Sequence, residues 1–294
     1  MVAVRNILSL IFTAFFLLIQ LQYCKPSPKK NHYDSKKKYS RIVADNIFTA
    51  EVLYKLGPIA RQNIIAVPAI SDDKRYSRFT NVWPASVHRI FQAGEEVIAL
   101  KPDLVITATF HSNDLRNMLQ RFDIDYVFLE HFTGFSAYRK NVMTIAEITG
   151  TQEEGREMVK AFNRRLKAIE KNAVQLKARN LQAISYMHGN VMGSNSTFDD
   201  IVRAAGLQNS AAQHGIERYG KVSLEQILTW KPDVMIISCG QAGCENAIRN
   251  FKTLPVIREL NPVVVAIDSN ILTSTNERML DASEKIQQTL LKRP

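Results

Sequence analysis

The segment Glu95-Glu-Val-Ile-Ala-Leu-Lys-Pro-Asp-Leu-Val-Ile106 recurs 130 residues later as Glu225-Gln-Ile-Leu-Thr-Trp-Lys-Pro-Asp-Val-Met-Ile236. Each copy starts as a short helical stretch and breaks at Lys-Pro-Asp, because the residue before a proline is pushed out of the α region. Each then runs into a β-branched apolar segment too short to be anything but a buried strand. The spacing is far longer than a solenoid period, and a proline and two charges return in register, so the copies read as halves of a duplication. The chain is therefore expected to fold as two similar α/β lobes.

The remaining pattern supports this reading. Strands are predicted over 41–44, 63–67, 126–129, 182–187 and 263–267, and helices over 49–56, 113–121, 135–148, 198–205 and 276–291. Residues 68–93 and 188–197 read as irregular loops. Strands alternating with helices imply mainly parallel sheets covered on both faces. Between the halves, Thr151-Gln-Glu-Glu154 has the form of a capping box. The series Met158, Phe162, Leu166, Ile169, Ala173, Leu176 keeps a helical period to about Asn180. One connecting helix over 151–180, roughly 40 Å long, is predicted. The resulting division is an N-terminal lobe over 41–150, the connector, and a C-terminal lobe over 181–294, each lobe with its own core. A second capping box is predicted at Ser223-Leu-Glu-Gln226.

The ends carry different information. Residues 1–24 combine Arg5 with an apolar run from Ile7 to Leu21, the form of an export signal and short for a membrane span. Residues 25–40 are polar and lysine-rich and read as a flexible tether. The net charge of +10 is concentrated here: residues 1–41 hold eight Lys and Arg against one Asp, leaving only +3 for the body. A basic nucleic-acid face is not indicated, and the lysines suit an anionic membrane surface. After Cys24 only Cys239 and Cys244 remain, in Ser-Cys-Gly-Gln-Ala-Gly-Cys-Glu. In an oxidising compartment they can close a small loop, with two free thiols as the alternative. No cysteine or nearby histidine completes a metal set around them.

Signal, tether, two lobes and connecting helix together resemble the helical-backbone (class III) substrate-binding proteins of ABC importers, which carry haem, cobalamin or ferric siderophores. The resemblance runs from about Arg41 to the C-terminus. It rests on Arg41-Ile-Val, Thr49-Ala-Glu-Val-Leu-Tyr-Lys-Leu-Gly57, the two Lys-Pro-Asp units, Ser196-Thr-Phe-Asp-Asp-Ile-Val-Arg-Ala-Ala-Gly206 and Val222-Ser-Leu-Glu225. It implies a periplasmic or membrane-attached monomer that binds a metal chelate between its lobes and delivers it to a permease dimer with its ATPase, and that holds no cofactor of its own. It also implies acylation of Cys24 as in a lipoprotein, although Gln22 and Tyr23 stand where such signals carry small residues. Ordinary cleavage and an uncleaved anchor are the alternatives. Glu95 and Glu225, each seven residues before the proline of its unit, match the positions that dock on permease arginines, and Glu96 can stand in for Glu95. Carboxylates suit that role through bidentate pairing with guanidinium groups.

Ligands of open α/β sheets sit beyond the carboxyl ends of the strands. The loops in those places are aromatic and histidine-bearing: Phe48, Tyr76, Trp83, His88 and His111 in the first half, Tyr186, His188 and Tyr219 in the second. Aromatic faces suit a flat conjugated ring or a bulky apolar complex. Haem would use an axial donor such as Tyr76, His88, His111 or His188. An anionic siderophore would use arginines such as Arg75, Arg78 or Arg89, and cobalamin needs only the cleft. The sequence leaves these three open. A zinc or manganese receptor of related design, using His88, His111 and His188, is the alternative within binding proteins. A non-catalytic surface protein is the alternative outside them. No Gly-x-Ser-x-Gly elbow, phosphate loop, His-Glu-x-x-His helix or dinucleotide fingerprint is present, so no enzyme activity is expected.

Overall fold

The computed structural model describes residues 31–34, 36–91, 94–108, 113–129 and 132–292. Cys24 and the signal segment lie outside them. The first lobe contains β1 (Ile42–Ala44), α1 (Ile47–Leu56), α2 (Pro58–Arg61), β2 (Ile64–Pro68), β3 (His88–Ile90), α3 (Glu95–Ala99), β4 (Leu104–Ala108), α4 (Asn113–Arg121), β5 (Asp125–Leu129) and α5 (Gly134–Ile148). The connector is α6 (Gln152–Asn172) and α7 (Val174–Arg179). The second lobe contains β6 (Gln182–Ser185), β7 (Asn190–Met192), α8 (Thr197–Ala204), β8 (Gln208–Asn209), α9 (Ser210–Gln213), β9 (Tyr219–Lys221), α10 (Leu224–Trp230) and β10 (Val234–Cys239). It continues with α11 (Cys244–Phe251), α12 (Pro255–Leu260), β11 (Val263–Asp268), α13 (Ser269–Leu272) and α14 (Met279–Leu291).

Two separate parallel sheets form, in the orders β3-β2-β1-β4-β5 and β11-β10-β6-β8, and β7 pairs antiparallel with β9 as a small ribbon. In each lobe the strand after Lys-Pro-Asp lies beside the lobe's first strand, with Ile42 opposite Leu104 and Ala183 opposite Val234. The repeat solves one local problem twice. Lys101 and Lys231 both adopt the left-handed conformation, at φ 48° and 49°, and so end their helices just before proline. The aspartate then turns back onto the neighbouring strand. Asp103 Oδ1 accepts the Arg41 N–H at 2.9 Å, and Asp233 Oδ2 accepts the Gln182 N–H at 2.7 Å. Each carboxylate thus satisfies the leading amide of a first strand, which no ladder partner reaches.

The connector departs from the single helix predicted over 151–180: it is 21 residues, a break at Ala173, and six more. Two contacts fall at the break. The Gln287 amide donates to the Ile169 carbonyl at 2.7 Å, and that carbonyl also keeps its helical bond from the Ala173 N–H at 3.0 Å. A Cβ on Gly206 would stand 2.9 Å from the Ala173 carbonyl oxygen, so the second lobe presses closely on this turn. The capping box predicted at Thr151 does not form. Thr151 is buried, makes no side-chain cap, and its hydroxyl meets that of Thr149 at 2.8 Å. The Ser223–Gln226 box forms with both of its bonds.

The separate cores expected for the lobes are also corrected. The largest apolar cluster is continuous from Leu53, Ile106 and Val142 through Phe162 and Ile169 to Phe198, Ile201 and Leu280, and smaller clusters back the outer face of each sheet. Residues 31–34 and 36–40, expected as flexible tether, pack beside the edge strand β5. His32 and Tyr126 exchange both backbone bonds, and buried Tyr39 donates its hydroxyl to Asp125 at 2.9 Å. Tyr33 and Tyr39 supply the apolar area that the lysines obscure, and the pairing covers a sheet edge. The short elements β3, β7, β9, α11 and α12 fall in stretches predicted as loops or left unassigned, and α14 starts three residues later than predicted. Among the described residues no helix is long and apolar enough to cross a membrane.

Burial pushes the Asp103 carboxyl up, but hydrogen bonds from Ser40 and Arg41 outweigh it and hold the group below its ordinary value. A carboxylate depressed in the native state stabilises fully above its unfolded value and loses that contribution as pH falls through the native one. Asp103→Ala is expected to destabilise the protein by about 1 to 2 kcal/mol in urea titrations at neutral pH. Asp103→Asn is expected to flatten the acid limb of the stability profile relative to wild type.

Candidate ligand-binding cleft

The two sheets present their carboxyl ends to a cavity of about 300 Å³ at the junction of the lobes, at the small end of the range for drug-sized ligands. Each wall is built from segments that leave a strand. Residues 45–48 follow β1, Ile70 and Tyr76 follow β2, Phe132 follows β5, and residues 270–278 follow β11. Asn46 caps α1, its Oδ1 accepting from the Thr49 N–H at 2.9 Å, and its amide donates to Asp45 Oδ1 at 3.1 Å. The other Asp45 oxygen accepts from the Thr107 hydroxyl, which ties the floor to β4.

The two walls differ in chemistry. The first lobe contributes Phe48 and Phe132, edge to face at 5.4 Å between centroids, and the side chains of Tyr76 and Ile70, 44% and 50% exposed. The second lobe contributes Asn270, Thr273, Ser274, Thr275, Asn276 and Arg278.

A polar belt closes the junction beside the cavity. Glu51, 6% exposed, accepts from the Ser77 hydroxyl at 3.0 Å, the Arg78 N–H at 3.1 Å and, across the lobes, Asn276 Nδ2 at 2.5 Å. Lys55 pairs with Glu277, and Arg78 pairs with Asp281. Arg165 of the connector binds both Asp281 and Glu284, and the Glu284 bond foremost raises its already high pKa further. Burial, then the Glu277 charge, push the Tyr138 phenol well above its usual value, so it remains a neutral donor.

Of the residues singled out in the sequence, Phe48 and Tyr76 are brought together in this cavity. Trp83 is not: it is 5% exposed in the main core, edge-on to Tyr54 at 6.4 Å, and its carbonyl accepts from Arg89. His88 faces outward on the edge strand β3 and binds Glu96 at 2.7 Å. Tyr186 packs on Phe251 at 5.8 Å in the outer core of the second lobe. His188 sits exposed in the left-handed turn before β7, and Tyr219 is exposed on the ribbon. His111 lies outside the described residues. Asp45, Asn46, Phe132 and Arg278 were missed. The available signal was position alone, a polar run directly after the last strand and an Asp-Asn pair directly after the first.

Cys239 and Cys244 are joined as a disulfide with Cα atoms 4.9 Å apart, at the carboxyl end of β10. Glu95 and Glu225 both lie exposed in the first turn of helices that precede a strand, and therefore at the cleft edge of their lobes. Glu225 is held below its ordinary value by a hydrogen bond from Ser223. Glu96 is engaged by His88 and by the Phe91 N–H at 3.0 Å, which leaves Glu95 as the outward carboxylate of that pair. Among the described residues no three His, Cys, Asp or Glu side chains converge as a metal site.

Two parallel sheets of like order, a helical connector and a cavity at their shared carboxyl edge define a two-lobed binding protein of the helical-backbone type. The chain belongs to the periplasmic binding protein family, whose sequence profile matches residues 42–262. Members of that family are the extracytoplasmic binding components of ABC importers. No curated protein matches the chain by sequence. Solved structures are similar in fold. The periplasmic heme-binding protein RhuT from Roseiflexus sp. RS-1 superposes with a TM-score of 0.67 at 18% identity, over 85% of this chain and 98% of that one. An ABC transporter substrate-binding protein from Listeria monocytogenes EGD-e gives 0.68 at 20% identity, over 87% and 100%. The periplasmic vitamin B12 binding protein BtuF of Vibrio cholerae gives 0.62 at 19%, over 87% and 98%.

The geometry separates two aromatic residues that share a wall. Phe48 belongs to the core, and Phe48→Ala is expected to destabilise by about 3 kcal/mol or more in urea denaturation. Exposed Tyr76→Ala is expected to stay within about 0.5 kcal/mol of wild type.

Proposed function

We propose that the protein is the substrate-binding component of an ABC importer that captures an iron or cobalt chelate (haem, cobalamin or a ferric siderophore) between its lobes and delivers it to a permease dimer. The observation that carries this reading is the cavity at the carboxyl edges of both sheets, with Phe48, Tyr76 and Phe132 on one wall and polar groups on the other. An aromatic wall takes the face of a conjugated or apolar ligand, and the opposite wall orients its polar edge. Tyr76 is the phenol lining the cavity and the residue suited to serve as an axial donor if the cargo is haem. The heme-binding and vitamin B12 binding proteins of similar fold are consistent with cargo of this kind.

The protein performs no chemistry on its cargo in this reading. It acts outside the cytoplasmic membrane as a monomer, exported by residues 1–24 and either acylated at Cys24 or released. The connector and the belt of cross-lobe pairs resist wide hinge opening, so loading and release involve small movements about a largely pre-formed cleft. Glu95 and Glu225 supply one exposed carboxylate from each lobe, an arrangement fitted to two arginine-bearing permease subunits.

The test is a thermal-shift series on the exported form with haemin, cyanocobalamin and ferric siderophores. Binding to the folded state raises Tm, by an amount equivalent to about 2.7 kcal/mol at a hundredfold excess over Kd. At least one chelate is expected to do so, and Tyr76→Ala is expected to reduce the shift. Silence across all of them overturns the proposal. The double variant Glu95→Arg with Glu225→Arg is expected to abolish stimulation of the importer's ATPase while chelate affinity is unchanged. Wild-type stimulation by that variant would remove the docking assignment.

A further inference from the structure

Among the described residues, the cations that bridge the lobes beside the cavity are paired, whereas Arg278, which lines it, has no ion partner. Lys55 has Glu277, Arg78 has Asp281, and Arg165 has Asp281 and Glu284. The carboxylates are correspondingly occupied. Glu51 is consumed by Ser77, Arg78 and Asn276, Asp45 by Thr107 and Asn46, and Asp268 accepts the Asn270 N–H at 2.8 Å. Arg278 is next to Glu277 in the chain, but Glu277 is turned to Lys55. Its own backbone N–H is fixed by Asn276 Oδ1 at 2.9 Å, which anchors the residue at the start of α14. Its side chain lines the cavity with Nε buried and without a hydrogen-bond partner.

Arg278 is thus a cavity-lining cation for which the described residues supply no acceptor, and a ligand carboxylate is an acceptor that would compensate its charge. The planar fork of arginine matches a carboxylate with two parallel bonds. The surroundings favour that assignment over a structural role. Thr275 lines the cavity near Arg278, while the Thr273 and Ser274 hydroxyls donate to Ser269 and Asn276 within the protein, and the opposite wall offers Phe48, Tyr76 and Phe132. A cargo that satisfies both walls has an apolar or conjugated body against the first lobe and an anionic edge toward the second.

We infer that the cleft selects an anionic, carboxylate-bearing chelate, with Arg278 as the counter-charge that receives its carboxylate. This rests on the reading of the interlobe cavity as the cargo site. It narrows that reading to haem-like or carboxylate siderophore cargo and excludes cobalamin as the preferred ligand.

The experiment compares wild type, Arg278→Gln and Arg278→Lys against haemin, haemin dimethyl ester, ferric citrate and cyanocobalamin, by absorbance titration and thermal shift. A charge-assisted carboxylate pair corresponds to roughly ten- to hundredfold in affinity. Wild type is expected to bind haemin or ferric citrate at least about tenfold more tightly than Arg278→Gln does, with Arg278→Lys intermediate. It is also expected to prefer haemin over its dimethyl ester, which keeps the ring and loses the free carboxylates. Should Arg278→Gln fail to fold, the ester comparison on wild type carries the test alone. Equal affinities of wild type and Arg278→Gln for an anionic chelate, or of wild type for haemin and its ester, overturn the inference and leave the importer reading standing. Stabilisation by cyanocobalamin alone does the same. Absence of binding to all four probes overturns the inference, and the importer reading falls with it when the ferric siderophores are silent as well.

Discussion

The cleft exists because one apolar core runs through both lobes. Helices α5, α6, α8 and α14 meet at the junction and bury Val142, Phe162, Ile201 and Leu280 in a single cluster, continuous with the inner faces of both sheets. A lobe moving as an independent body would have to expose part of that cluster, at roughly 25 cal/mol for each Å² of apolar surface returned to water. The junction adds backbone locks. The N–H groups of Gly134 and Phe135, opening α5, are taken by Thr197 at 3.0 Å and Asp200 at 2.7 Å on α8. A side chain on Gly134 would collide with that same Asp200 carboxylate, so the close approach of the two helices depends on a glycine there. The relative placement of the two sheets is therefore set by packing and not by the connector alone.

The polar belt has a different part. Glu51 and Asn276, Lys55 and Glu277, Arg78 and Asp281 all cross between lobes close to the cavity, where water reaches most of them. Exposed ion pairs of this kind contribute little stability individually. What they fix is register, since each pairs a residue near α1 with one near the start of α14, and α14 carries the second lobe's wall. The same helix buries Met279, Leu280, Ala282 and Ile286 in the core, so its position fixes the cavity wall and the core together. The break at Ala173 suits the same logic, because Gln287 of α14 hydrogen-bonds the connector there and links the helix to the only irregular point along it.

The frame was legible in the sequence because its signals are local and repeated. Lys-Pro-Asp ends a helix and starts a strand by backbone constraints that need no tertiary context, and the same φ at Lys101 and Lys231 shows one turn used twice. The strand and helix order followed from periodicity. What periodicity could not show were contacts between elements: Gln287 reaching Ile169, Thr151 buried against Thr149, and Tyr39 folding back on Asp125. The site was less legible still. An aromatic in a loop reads alike whether it faces a cavity, as Tyr76 does, or seals a core, as Trp83 does, because exposure is decided by chain segments far away in sequence. Arg278 carried no signal at all until Glu277 was seen turned toward Lys55.

The duplication also explains why the second lobe's aromatic residues fell away from the site. Symmetry of the frame suggests symmetry of the cleft, yet the loop after β6 does not enter a helix directly as the loop after β1 does. It first forms β7, whose ribbon partner β9 arrives only after α8, β8 and α9, and Gly193 and Gly220 allow the ribbon to close tightly on Ile216. His188 and Tyr219 are carried out with it to solvent, while Tyr186 turns inward onto Phe251. The lining of the second lobe then falls to the segment after β11, which is rich in hydroxyls and amides and ends in an arginine. One wall aromatic and one wall polar is the outcome of this asymmetry. A cleft with two unlike walls gives an asymmetric ligand one orientation, which a symmetric cleft between duplicated lobes would not.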